Sequence, residues 1–216
     1  MGSVSFQVSS LRKDFNRRSI FPDVSFSLRE RDSLVITGCN GAGKSTLLKV
    51  LAGVLSSTQG LINISIEGNE IHSIDRFQCI GFVSPYLQLY EEFTAWEMIE
   101  LIRNIRGVGV STEFLKELLN RVNLYERRDD FLRTYSSGMK QRMKYACALV
   151  HQPPILILDE PTANLDKEGS AIVLRIVQEQ KERGIVVIAT NDEEEIPWCG
   201  KRISLDAEQN ALNNSQ

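Results

Sequence analysis

A glycine-rich segment of eight residues fits the pattern G-x-x-x-x-G-K-S/T in full, and few folds accommodate such a segment. The segment consists of Gly38, Cys39, Asn40, Gly41, Ala42, Gly43, Lys44 and Ser45. An apolar run typical of a buried strand, residues 33–37, precedes it, and apolar residues at helical spacing, residues 47–51, follow it. Such a loop turns several backbone N–H groups toward one anion. We therefore predict a site for nucleotide phosphates here, with Thr46 beside it.

The last residues of the motif have separate expected roles. Lys44 is expected to reach the β- and γ-phosphates, and the hydroxyl of Ser45 is expected to bind Mg²⁺. ATP and Mg²⁺ are therefore the predicted ligands. Cys39 is interpreted as a small residue that fills the loop, with a redox role as the alternative.

Two acidic residues, Asp159 and Glu160, end the apolar run at residues 155–158. The carboxyl end of a strand in an open α/β sheet faces the ligand crevice. Asp159 is therefore expected to hold the hydrated Mg²⁺, and Glu160 is expected to polarise the attacking water as a general base. The alternative is that both acids only begin a solvated loop, and a preceding phosphate loop weighs against it.

Strand-like and helical segments alternate along the chain, which predicts an α/β fold with a parallel sheet. The buried strands are predicted at residues 33–37, 155–158 and 185–189. The helices are predicted to begin at a Thr94–Glu97 capping box and to cover about residues 112–123, 137–151 and 167–183.

Charge, cysteine usage and hydropathy exclude several classes of protein. The net charge of −3 argues against nucleic acid as a partner. The four cysteines lie far apart without a Cys-x-x-Cys pair, so neither a disulfide framework nor a zinc site is expected. The apolar runs are far shorter than the ~18 residues of a membrane helix, and no secretory signal is recognisable. Any work at a membrane is therefore expected to need a partner.

Three further segments carry a resemblance to a known family. Residues 135–142, YSSGMKQR, resemble the signature motif of ABC-type ATPases, usually written LSGGQ and followed by a basic residue, Gln and Arg. Residues 155–162, ILILDEPT, are similar to the Walker B segment of that family, and residues 163–166, ANLD, to its D-loop. The resemblance runs from about Val4 to Leu205 with the motifs in the order of the family.

The resemblance implies an α/β fold with a P-loop NTPase (RecA-like) core and a mixed, mainly parallel sheet. An inserted α-helical subdomain and N-terminal antiparallel strands complete it. Residues 1–216 are then a single ABC ATPase domain, with its core at 1–84 and 152–206. The helical subdomain is expected at about 85–151 and a polar tail at 207–216.

The resemblance also implies a mechanism and partners. Two such domains pair head to tail, a homodimer being expected, and each ATP lies between the P-loop of one and the signature of the other. Ser136, Ser137 and Gly138 would then bind the γ-phosphate across the interface. Phe15 matches the aromatic residue that stacks on adenine, with a core phenylalanine as the alternative. The expected setting is cytoplasmic, peripheral on the inner face of the membrane, beside a multi-span permease subunit.

The chain departs from the family pattern at three places. Tyr135, Ser137 and Met139 change the signature. By ungapped alignment, Pro85 falls where the family has its metal-sensing glutamine. Gln88, three residues on, is the candidate to replace it if the loop takes another path, and the alternative is a loop that couples to the partner without touching Mg²⁺. Asn191 stands where the family has its switch histidine; it can still bond a γ-phosphate but cannot carry a proton. We therefore expect Glu160-dependent hydrolysis that is slow in the isolated chain, below about 10 s⁻¹.

An aromatic-rich stretch offers the best surface for a partner. It contains Tyr86, Leu87, Leu89, Tyr90, Phe93 and Trp96. About half of these are expected in a local helical core, and the rest could form a groove for a short helix of the membrane subunit. Two other functions stay open: a cassette that binds ATP and dimerises with little hydrolysis, and a soluble ABC ATPase outside transport.

Overall fold

The computed structural model describes residues 3–16 and 18–206. Residues 1 and 2 of the predicted core and the predicted polar tail, residues 207–216, lie outside this description. The strands in chain order are β1 (Val4–Arg12), β2 (Asp14–Phe15), β3 (Arg18–Ser19), β4 (Val24–Arg29), β5 (Ser33–Thr37), β6 (Gln59–Ile66), β7 (Asn69–Ile71), β8 (Ile80–Val83), β9 (Ile155–Asp159), β10 (Ile185–Ala189) and β11 (Lys201–Ser204). The helices are α1 (Lys44–Leu51), α2 (Arg76–Cys79), α3 (Ala95–Arg106), α4 (Thr112–Arg121), α5 (Ser137–Leu149) and α6 (Lys167–Lys181).

A parallel sheet with the strand order β11-β5-β10-β9-β8 forms the centre of the molecule. Every residue of β5, β9 and β10 is buried. Leu156 and Leu158 face one apolar cluster, while Ile155 and Ile157 face the other. A strand covered on both faces reads as an unbroken apolar run, which is why these three strands were predictable. The predicted α/β class is confirmed.

A second sheet is antiparallel, with the order β4-β1-β6-β7. It packs its apolar side, including Phe6 and Ile64, on the same cluster as α1. Strands β6 and β7 follow α1 in the chain, so this sheet is not built from N-terminal strands alone. Strand β6 shows a buried residue only at every second position, at Ile62 and Ile64, which is a weaker sequence signal than a continuous run.

Helices α3, α4 and α5 lie between β8 and β9 in the chain. The predicted capping box of α3 is present, with both the Thr94 side chain and the Glu97 side chain bonded to backbone N–H groups. Helix α4 ends before Asn123, which adopts a left-handed backbone with φ of 52°. These helices share one apolar cluster with a face of the parallel sheet. The division into core and helical subdomain stays a prediction.

In the part of the chain described, no helix is both long and apolar enough to cross a bilayer.

Candidate nucleotide site

The carboxyl edge of the parallel sheet brings four distant segments together. The phosphate loop follows β5, Ser84 follows β8, Asp159 ends β9 and Thr190 follows β10. Ala189 of β10 lies opposite Ile36 of β5 and Asp159 of β9, so these three strands end at one level. Parallel strands place their carboxyl ends at the same edge, and this edge is where open α/β sheets bind ligands.

The phosphate loop runs from the end of β5 into the first turn of α1. Gly43 caps α1 with a left-handed backbone at φ of 94°, a conformation that costs glycine little. A Cβ at this position would lie 2.6 Å from the backbone oxygen of Ile20, so a larger residue would also collide with the neighbouring chain. The last glycine of the motif is therefore required both by its conformation and by the close approach of Ile20.

Lys44 is nearly buried, with 6% of its surface exposed. Its ammonium group donates to the backbone oxygen of Gly38 at 2.7 Å, so the side chain folds back over the loop. At the other side of the loop, the N–H of Cys39 donates to a carboxylate oxygen of Asp206 at 2.8 Å. That backbone hydrogen bond lowers the pKa of Asp206. The first contact ties the end of the phosphate loop to its start, and the second ties the loop to the segment after β11.

The loop borders an open cavity of ≈ 330 Å³. Its lining residues are Ile20, Asn40, Gly41, Gly43, Lys44, Ser45, Thr46, Tyr86 and Glu160. The predicted base therefore faces the same space as the predicted phosphate-binding residues. Three other loop residues do not line the cavity. Gly38 lies against Ala42 and Leu205, Ala42 packs on the apolar cluster, and Cys39 is exposed.

Asp159 is fully buried and accepts a hydroxyl hydrogen bond on each oxygen. Ser45 donates to Oδ1 and Ser84 donates to Oδ2, both at 3.0 Å. Burial raises the pKa of Asp159, and the two serine hydroxyls oppose that rise. Mg²⁺ prefers oxygen ligands and uses one or two carboxylates beside substrate phosphates. The carboxylate of Asp159 and the hydroxyl of Ser45 lie next to each other at the phosphate loop, so they could serve as ligands of Mg²⁺.

Glu160 adopts a left-handed backbone with φ of 46°, which is uncommon outside glycine and is often found at functional sites. Its N–H donates to the backbone oxygen of Ala189 at 2.9 Å, which anchors it to the end of β10. Burial raises the pKa of Glu160, while the nearby Lys44 lowers it. A carboxylate with a raised pKa is a better proton acceptor, so the environment suits a general base.

Asn191 reaches the phosphate loop from the segment after β10. Its Nδ2 donates to Oδ1 of Asn40 at 2.8 Å, and the side chain is exposed. The residue therefore lies at the rim of the cavity next to a loop residue that lines it. Its predicted contact with a γ-phosphate stays a prediction.

Several predicted residues lie elsewhere. Phe15 is 47% exposed in β2, with the ammonium of Lys13 4.8 Å from its ring centroid, and it does not line the cavity. That exposure disfavours the core alternative, and its stacking on adenine stays a prediction. Gln88 is exposed and lines a separate groove. Ser84, and not Gln88, occupies the place beside Asp159, because Ser84 directly follows the neighbouring strand β8 and the chain leaves the sheet edge at Pro85.

Sequence reasoning missed three residues of the site, Ser84, Tyr86 and Ile20. The rule that strand ends face the ligand crevice, when applied to β8, would have identified Ser84. Tyr86 was grouped with the partner surface, but it lines the nucleotide cavity. Only Leu87, Leu89 and Tyr90 of that stretch line the separate groove, while Phe93 and Trp96 pack on the helical core.

Comparison with known proteins decides the family. The family described as ABC transporter matches residues 21–163, which include the phosphate loop, the signature and both acids. The chain belongs to the ABC transporter family. The predicted resemblance and the predicted class of enzyme, an ATPase, are thereby confirmed.

Individual relatives of this ABC chain agree with the family match. It is 33% identical over 204 residues to the linearmycin resistance ATP-binding protein LnrL of Bacillus subtilis, covering 92% of this chain and 65% of LnrL. It is 32% identical to the lantibiotic transport ATP-binding protein SrtF of Streptococcus pyogenes, covering 86% of this chain and 79% of SrtF. The chain thus spans less than two thirds of the length of LnrL.

A solved structure of an ATP-binding subunit of an ABC transporter superposes on this ABC chain with a TM-score of 0.80. The two chains are 27% identical, and the match covers 93% of this chain and 85% of the other. The superposition confirms the fold over nearly the whole described region.

Proposed function

We propose that this chain binds and hydrolyses ATP with Mg²⁺ as the ATP-binding subunit of an ABC transporter. It pairs head to tail with a second copy and drives a separate multi-span membrane permease, and so works at the inner face of the membrane. The proposal is carried by the separation of the phosphate loop and Glu160 from the signature residues, which would together make up one ATP site. The cavity contains the phosphate loop and Glu160, whereas Ser136 and Ser137 are exposed outside it.

The signature is built to receive a ligand from outside the chain. Ser136 caps α5 and accepts the N–H of Met139 at 3.2 Å, so the first turn of the helix is ordered. A Cβ on Gly138 would lie 3.2 Å from the backbone oxygen of Asn164, so glycine lets the helix start approach the D-loop. An exposed helix start that also carries hydroxyl groups attracts phosphate. In the dimer it closes the cavity of the partner.

The residues of the cavity then divide the reaction. The ammonium of Lys44 leaves the oxygen of Gly38 and neutralises the β- and γ-phosphates. Ser45 and Asp159 would hold Mg²⁺, which supplies positive charge against the phosphates when bound. Glu160 accepts a proton from the attacking water at its carboxylate. Asn191, held by Asn40, donates its amide toward the γ-phosphate without moving a proton.

A cassette that dimerises with little hydrolysis is the second candidate function. Two observations favour it: Asn191 stands in place of a histidine, and Gln88 lies away from the cavity. Glu160 keeps its place, so we expect turnover that is slow but measurable.

Disulfide trapping tests the head-to-tail arrangement. Cys39 is exposed on the phosphate loop, and Ser137 is exposed at the start of α5. In the proposed dimer, the cysteine introduced by Ser137→Cys faces Cys39 of the second copy. Under mild oxidation, we expect Mg²⁺ and ATP to produce a reducible band at about twice the monomer mass on a non-reducing gel. Ser137→Cys combined with Cys39→Ser is the matched control and should give no band. A band that forms equally without nucleotide would contradict the proposal.

The membrane partner is assigned to the separate groove beside the parallel sheet, a cavity of ≈ 310 Å³. Leu87, Leu89, Tyr90 and Met98 give it apolar walls, and Lys144 contributes a charge. A short amphipathic helix of a permease fits such a groove.

A substitution in the groove tests this assignment. Leu87 is 38% exposed in the groove, whereas Leu61 is 68% exposed on β6 of the other sheet. In cells that express the chain together with its permease, we expect Leu87→Asp to move most of the chain from the membrane fraction to the supernatant. The charge would be buried when the permease helix occupies the groove, and this opposes docking. Leu61→Asp should stay with the membranes. Equal distribution of both variants would remove the groove as the docking site.

A further inference from the structure

Ser84 makes a contact at the catalytic edge that none of the predicted motifs contains. It follows β8 directly and is completely buried. Its hydroxyl donates to Oδ2 of Asp159 at 3.0 Å, on the side of the carboxylate opposite Ser45. A buried carboxylate whose two oxygens are both held by hydroxyls has little freedom to rotate.

The direction of the Ser84 hydroxyl is set by its second neighbour. The N–H of Tyr86 points at Oγ of Ser84 from 3.4 Å, so this oxygen faces a donor on one side. The hydroxyl hydrogen is then directed toward the carboxylate. This short turn also places the ring of Tyr86 in the nucleotide cavity.

Helix α5 holds the same segment from the other side. The ammonium of Lys144 donates to the backbone oxygen of Pro85 at 2.7 Å and lies 3.4 Å from that of Ser84. Lys144 is on the helix that begins with the signature residues. Ser84 is thus fixed through its backbone by α5 and through its hydroxyl by Asp159.

We propose that Ser84 is a positioning residue for the Mg²⁺ site. By holding Oδ2, it presents Oδ1 of Asp159 to Ser45 and to the metal, and it does so one residue before the position where a glutamine was expected. Groups that orient a metal ligand typically change metal affinity 10–100-fold when they are removed. The inference rests on the proposed function, because it requires that Asp159 binds Mg²⁺.

A Mg²⁺ titration tests the proposal without using turnover. The readout is the Mg²⁺ concentration that gives half of the gain in affinity for a fluorescent ATP analogue that cannot be hydrolysed, because the metal is expected to bridge the β- and γ-phosphates. We expect Ser84→Ala to raise this concentration about 10-fold, while the affinity measured in EDTA stays within about twofold of wild type. Ser84→Cys keeps the size and a weak donor, and should give an intermediate shift of about threefold. If Ser84→Ala folds poorly, the Ser84→Cys variant tests the proposal in its place.

Ser33→Ala is the matched control. Ser33 is another buried serine, whose Oγ accepts the N–H of Gly200 at 3.0 Å at the opposite end of β5, so its loss should leave the Mg²⁺ titration unchanged. A titration of Ser84→Ala that coincides with wild type would overturn the role of Ser84 and leave the proposed function standing. A wild-type affinity that does not change with Mg²⁺ would overturn both.

Discussion

Glu160→Gln is expected to lower ATP turnover by about 10²–10³-fold, because a general base typically contributes 10²–10⁴-fold and an amide cannot accept the proton of water. ATP binding should survive, since Glu160 borders the cavity without belonging to the phosphate loop. The amide also removes a negative charge from the cavity that is proposed to hold the γ-phosphate. We therefore expect the variant to accumulate as a dimer in Mg²⁺ and ATP, while the wild type returns to monomer as it hydrolyses.

Phosphate release and size-exclusion chromatography measure the two effects on the same samples. Glu193→Gln is the matched control, because it removes an exposed acid a few residues after β10. It should keep wild-type turnover. ATP binding without turnover in the wild type would favour the second candidate function, a cassette that dimerises but scarcely hydrolyses. Turnover that persists in Glu160→Gln would show that another group acts as the base.

Gly81→Ala is expected to cause a large loss of stability, because an added methyl group has no room between β8 and α5. Gly81 lies in β8 opposite Leu156, under the end of α5. A Cβ there would lie 2.6 Å from the backbone oxygen of Ala148 and 2.8 Å from Cγ of Pro153. Neither neighbour can rotate away, so the sheet and helix must separate. Overpacking of this kind costs about 1–3 kcal/mol, and we expect the upper end of that range.

Urea unfolding followed by circular dichroism measures this loss. Gly109→Ala is the control, because a Cβ at Gly109 meets nothing within 4 Å. It should change the free energy of unfolding by less than about 0.5 kcal/mol. Because β8 leads directly to Ser84, a folded Gly81→Ala protein should also bind Mg²⁺ more weakly. A midpoint equal to that of wild type would mean that α5 can shift without cost.

The motif residues were predictable because their chemistry is local. Lys44 and Ser45 acquire their positions from the loop and helix in which they stand, and a contiguous pattern records that geometry. The same holds for Asp159 and Glu160 at the end of a buried strand. The loop after β8 was different. Gln88 was predicted as the metal-sensing residue because it is the nearest glutamine after Pro85. In the structure, the chain turns away from the sheet edge at Pro85, and Gln88 lines the separate groove.

The parallel sheet, the phosphate loop and the acidic pair could be predicted from the amino-acid sequence, because neighbouring residues encode buried strands and glycine-rich turns. The contacts that complete the site form between residues that are far apart in the chain and could not be predicted in this way. Ser84 meets Asp159 across 75 residues of chain, Asn191 meets Asn40 across 151, and Asp206 meets Cys39 across 167. Each pair depends on the register and order of the strands. Strand order follows from packing over the whole domain, and no local pattern contains it.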